Sequence, residues 1–297
     1  MTTKYIVPAP LVEKIETLGL GYPALKLVHG LLLSAHLEVG GNTSLLWRPM
    51  SRRSVVRTAF LRAEIGAARE KGNRQIRAAL EDPQLKSVFE EIHLLENGRG
   101  IVSMFRKDIC EVATVRNFDP ATNEKHQYAL LESANLAACR TATDILLLTR
   151  VCMHRRQKYP AFHLFGFQQP EVSPANNRAM NKLAEAQAKL QESVRKAEAD
   201  PVAWPDVRDK WLGSACRVAK LTGDRFVFVL EEGVSQLGVR RVKVRISNAE
   251  AKWKPEVLHR CPAGSRLVEI DSDGHRYLTA ERARLRARTS LENGERA

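Results

Sequence analysis

The alternation of apolar and polar positions divides the chain into a helical beginning, a hairpin followed by a long apolar stretch, and a strand-rich last third. Leu11 to Leu18 places Leu11, Val12 and Ile15 on one face and stops at Gly19 and Gly21, which predicts a short helix. Pro23 then opens a second helix, Ala24 to Leu37. Its Leu25, Leu27, Val28, Leu31, Leu32 and Leu33 surround most of the cylinder, so it belongs in a core. Ser51 is a good N-cap for a third helix running to about Lys71, with Val55, Val56, Ala59, Phe60, Ala63 and Ala67 as its stripe. Asn73 to Leu80 predicts a short basic helix, and Val88 to Phe105 two strands around the polar turn ENGRG. From Tyr128 to Lys158 the pattern is again helical, with too many apolar positions for a surface helix, and the strand AFHLFGF follows.

The Pro-, Asn- and Gln-rich stretch QQPEVSPANN marks a boundary, giving expected domains at 1–170 and 171–297. Beyond it, Met180, Leu183, Gln187, Leu190, Val194 and Ala197 step by three and four along Arg178 to Asp200. That helix either dimerises as a short coiled coil or lies across its own domain. A further helix is predicted over Asp206 to Leu221. From Arg225 the period becomes two, and FVFVLEE, VRRVKVRIS, the Val257–Leu258 region and RLVEID read as strands before a last arginine-rich helix, Thr279 to Arg288. The fold class expected is α+β: a winged-helix-like first domain, in which a helix precedes a hairpin, then a second domain of two helices and a mainly antiparallel β-sheet.

Composition directs attention to a polyanionic partner. The 297 residues hold 47 Lys and Arg against 34 Asp and Glu, a formal charge of +13 and a pI near 9.8, so nucleic acid is the first partner to consider. The five cysteines are scattered without a C-x-x-C pair, which argues against a disulfide framework and a structural zinc. The N-terminal residues lack the pattern of a signal peptide, and the most apolar segment, Ala24 to Val39, is interrupted by Lys26, His29 and His36. A cytoplasmic protein with no membrane association is expected.

Candidate contacts come from the positions of the cations. In Gly238 to Ser247, Arg241, Lys243 and Arg245 alternate with Val242, Val244 and Ile246. On a strand this makes a row of cations about 7 Å apart that suits a phosphate backbone and equally suits a solvated basic face. Arg240 and Lys252 lie beside it. Arg52, Arg53 and Arg57 crowd the start of the predicted third helix, where positive charge opposes the helix dipole, so they serve either binding or a solvated face. Arg74 and Arg77 lie on the short basic helix. Arg99 occupies the hairpin tip between Gly98 and Gly100, where it could enter a minor groove, although Asn97–Gly98 is also simply a turn sequence. No phosphate-binding loop, G-x-S-x-G or H-E-x-x-H sequence is present. No catalytic residue, metal ligand or cofactor is assigned; enzyme activity stays open and a non-catalytic role is favoured.

The order of the buried helix Ala24 to Leu37, the helices over Ser51 to Leu80, the hairpin FEEIHLLENGRGIVSMF and the apolar YALLESANLAACRTATDILLLTRV resembles the N-terminal winged-helix domain of theta-type plasmid replication initiators. The resemblance covers the first half. It implies a DNA-binding protein that recognises repeats and recruits host replication proteins without chemistry of its own, as a possible homodimer or within a larger nucleoprotein assembly. Family members commonly carry a second winged helix; here the second half instead offers two helices followed by strands. The alternative expectation is an RNA-binding or RNA-processing protein of the CRISPR-associated type. A third is an adaptor that dimerises through the heptad-like helix.

Overall fold

The computed structural model describes residues 3–70, 72–113, 127–157, 160–164, 204–232, 239–248 and 265–278. It is a mixture of helices and antiparallel sheets, an α+β fold, and divides into two units, Met1–Lys158 and Tyr159–Ala297. Among the described residues no helix is long and apolar enough to cross a membrane.

In the first unit, β1 (Lys4–Pro8) leads into α1 (Ala9–Thr17) and α2 (Tyr22–Glu38). The apolar circumference of α2 has the consequence expected of it: Leu25, Leu27, Val28, Leu31, Leu32 and Leu33 are all at most 2% exposed. Each such burial contributes about 1.5–3 kcal/mol relative to an exposed side chain. After the single turn α3 (Trp47–Met50), the chain forms β2 (Ser54–Arg57), α4 (Thr58–Glu64) and α5 (Arg74–Leu80). The hairpin β3 (Phe89–Leu94) and β4 (Gly100–Phe105) follows, then α6 (Lys107–Ala113). The hairpin takes β2 as a third strand, in the order β2-β4-β3, all antiparallel.

Two expected helices are corrected. The stretch Ser51 to Lys71 is not one helix, because Ser54–Arg57 pairs with Ser103–Gly100 of β4. The β-branched pair Val55–Val56 suits a strand once a partner exists, and β4 provides it. Tyr128 to Lys158 likewise begins as a strand, β5 (Tyr128–Glu132), paired with β1 from Tyr128↔Pro8 to Glu132↔Lys4. There Ala129 and Leu131 are buried on alternate positions, a period of two inside an apolar run. Helix returns as α7 (Ser133–Ala138) and α8 (Ala142–His154). The break is chemical: Thr141 and Asp144 form a capping box, and the Asp144 carboxylate also accepts the Arg140 N–H at 2.8 Å.

The second unit holds a five-stranded antiparallel sheet. Its order is β10-β9-β7-β8-β6, from β6 (Ala161–His163), β7 (Asp224–Glu232), β8 (Val239–Asn248), β9 (Arg266–Asp271) and β10 (Gly274–Leu278). Helix α9 (Trp204–Thr222) packs against β7 and β9 through an apolar face that includes the buried Leu212, Ala215, Val218 and Ala219. The expected strand after the first apolar region is β6, and it pairs with β8 of this sheet. The predicted helices at 178–200 and 279–288 and the strand at 257–258 lie outside the described residues.

Candidate nucleic-acid interface

Three chain segments meet at the tip of the hairpin β3–β4. The turn runs from Leu95 to Arg99, closed by the Gly98 N–H on the Leu95 carbonyl (2.8 Å) and the Leu95 N–H on the Gly100 carbonyl (2.9 Å). Gly98 has φ +67°, a conformation in which a side chain would be strained. The Gly98 carbonyl accepts from the Asn73 side-chain amide (2.7 Å) at the start of α5 and from the Thr58 hydroxyl (3.0 Å) at the start of α4. The next carbonyl, of Arg99, accepts the Thr58 N–H at 3.1 Å. Sequence reading marks this turn but gives no sign that Thr58 and Asn73 hold it.

This arrangement gathers four of the anticipated arginines. Arg57 ends β2 and is in register with Gly100, Arg99 sits in the turn, and Arg74 follows Asn73 directly. Arg77 lies one helical turn further along α5, on the face opposite the buried Ile76 and Ala79. All four side chains are exposed, and among the described residues none has a carboxylate within ion-pair distance. Glu81 and Glu96 are exposed nearby, so the surface is predominantly but not wholly basic.

Arg52 and Arg53 are placed differently. They precede β2 and do not sit in the first turn of a helix, which removes the conflict with a helix dipole. Each has an acidic partner: Arg52 pairs with Glu38, and Arg53 with Glu91 at 3.1 Å. Exposed pairs of this kind contribute at most about 1 kcal/mol to stability, but they occupy the cations.

The basic row of the second unit is real as a strand and only partly presented to solvent. Val242, Val244 and Ile246 are buried, while Lys243 and Arg245 are half-buried on the other face. That strand is internal, flanked by β7 and β6, with Lys243 opposite Val229 and His163 and Arg245 opposite Val227 and Ala161. Since Val227, Val229 and Leu267 form a buried apolar cluster, these two cations border a core. Arg240 and Arg241 belong to β8, and Lys252 lies outside the described residues.

Other chemistry-bearing groups are engaged in structure. Lys26 is 3% exposed and donates to the carbonyls of Ile65 (2.9 Å) and Ala137 (3.0 Å); burial lowers its pKa. Glu16 takes a bidentate contact from Arg150, with Nε–Oε1 at 2.8 Å. Cys110 borders a cleft of about 440 Å³ lined also by Trp47, Glu90, Phe105 and Glu111. Burial, then the neighbouring carboxylates, push its thiol up to about 11, so it is a protonated, unreactive group at neutral pH. Among the described residues no cluster of three His, Cys, Asp or Glu side chains is placed to hold a metal ion.

Comparison with protein-family models, with curated proteins and with solved structures returned no match.

Proposed function

We propose that the Met1–Lys158 unit is a winged-helix module that grips duplex DNA, with α5 directed at the major groove and the β3–β4 hairpin as its wing. Under this reading the chain is a cytoplasmic, non-catalytic plasmid replication initiator of the theta type, which assembles on its target as a nucleoprotein complex. The observation that carries the proposal is the convergence of Arg57, Arg74, Arg77 and Arg99, exposed and without carboxylate partners among the described residues, from β2, α5 and the hairpin turn. The succession β2, α4, α5, β3, β4 with sheet order β2-β4-β3 agrees with it. A helix fits the wide major groove of B-form DNA, whereas the major groove of duplex RNA is too deep and narrow for side chains to read.

The test is fluorescence anisotropy with one labelled sequence presented as duplex DNA, duplex RNA and single-stranded DNA. Tighter binding of duplex DNA, lost when Arg57, Arg74, Arg77 and Arg99 are changed to alanine and retained when Arg52 and Arg53 are changed, is the expected result. Preference for RNA that survives the fourfold substitution would replace this reading with an RNA-binding one.

A further inference from the structure

The residue that opens α5 is used in an unexpected way. Asparagine is among the best helix N-caps because its side chain can accept an N–H of the first turn. Asn73 occupies the N-cap position with φ −122° and ψ 38°, yet its side chain makes no capping bond. The free N–H of Gln75 is instead satisfied by the carboxylate of Glu70, at 2.9 Å. Arg62 secures the backbone leading into this cap, donating to the carbonyls of Glu70 (3.0 Å) and Gly72 (2.8 Å). The Asn73 side chain turns to the hairpin instead, and its amide donates to the Gly98 carbonyl at 2.7 Å.

We infer that Asn73 is a positioning residue for nucleic-acid binding, fixing the hairpin turn to α5 so that Arg99 and Arg74 are presented at one set spacing; this rests on the DNA-binding reading above. Two features of the turn agree with such a role. A β-carbon on Gly98 would lie 3.3 Å from Asn73 Nδ2, so the turn and the amide are fitted closely. Thr58 holds the same turn to α4 through its hydroxyl and its N–H, which ties the wing to both helices. Thr58 fixes the turn to α4 and Asn73 fixes it to α5, so the Asn73 bond sets the spacing of Arg99 from Arg74, which the Thr58 bonds do not.

A merely structural asparagine and a positioning one are separated by salt dependence and by coupling. Each phosphate contact contributes about 0.9 to the slope of log affinity against log salt on B-form DNA. Full-length Asn73→Ala is therefore expected to lower the slope for duplex DNA by about one, matching Arg99→Ala, although it removes no charge. The double variant is expected to bind within about twofold of Arg99→Ala, since both changes remove the same contact. Should Asn73→Ala fail to fold, Asn73→Ser keeps a good helix-start residue while losing the reach to Gly98, and the same outcome is expected. Wild-type affinity and slope in the folded variant, or additive losses in the double variant, would overturn the role of Asn73 while leaving the arginine face intact. An Arg99→Ala variant with unchanged binding would overturn it too, whereas absence of any duplex affinity in the wild type would remove the DNA-binding reading itself.

Discussion

The buried histidine of α2 sets a pH limit on the stability of the first unit. His29 is 2% exposed, and the Tyr5 hydroxyl, itself fully buried, lies 2.9 Å from its Nδ1 and donates to it in the neutral tautomer that carries its proton on Nε2. Burial lowers its pKa from the ordinary 6.5 to about 4. A base with a depressed folded pKa contributes stability above its unfolded pKa and loses it as pH falls, because the unfolded chain takes up the proton first. The full separation is worth about 3.4 kcal/mol, and about 2 kcal/mol of it disappears between pH 7.5 and pH 5. Burial also lowers the pKa of His36 and His154, which act in the same direction, so the informative quantity is a difference against His29→Asn, where the amide oxygen can replace Nδ1 as acceptor. Amide exchange in peptides from Tyr22–Glu38, corrected for intrinsic rates, reports the opening free energy at each pH. Wild type should lose about 2 kcal/mol more than His29→Asn over that range. Parallel losses in the two proteins would refute the assignment of His29 as a buried neutral base.

Two further predictions concern packing around α2. Lys26→Met is expected to destabilise the first unit by about 2–4 kcal/mol despite its similar length, because the carbonyls of Ile65 and Ala137 would be left without their buried donor; a denaturant melt checks it. Gly66 and Gly72 both have positive φ, at +80° and +94°, but only at Gly66 would a β-carbon meet a neighbour, the Ala137 carbonyl at 2.6 Å. Gly72→Ala should therefore cost about 1 kcal/mol from backbone strain and Gly66→Ala clearly more, which paired thermal melts will show.

Much of the fold was legible where one periodicity ran uninterrupted. The helix Tyr22–Glu38 is apolar around most of its cylinder and is buried at every position from Ala24 to Leu33, and the hairpin Phe89–Phe105 has its turn at Asn97–Gly98, where that dipeptide favours one. Strands β7, β8 and β9 likewise follow period-two runs. What local pattern could not reveal was pairing between distant segments. Val55–Val56 fits the stripe of a helix as well as a strand, and β4, more than forty residues away, decides between them. The same holds for Tyr128–Glu132, whose partner is at the N-terminus. The candidate site was legible as a set of cations and no further. Charge alone cannot separate Arg52 and Arg53, held by Glu38 and Glu91, from Arg57, Arg74, Arg77 and Arg99, and it gives no hint that Lys243 and Arg245 would border a buried cluster. The roles of Asn73 and Thr58 depend on a carbonyl brought to them by the hairpin, which no sequence motif records.

Under the proposed function, four arginines around the hairpin tip contact phosphates of duplex DNA. This is tested most directly by the affinity of full-length protein for a labelled duplex across a series of salt concentrations, beside the variant with Arg57, Arg74, Arg77 and Arg99 all changed to alanine. A steep wild-type slope that falls by about 3–4 in the variant, close to one per lost contact, is the expected result. Equal slopes in the two proteins would contradict it.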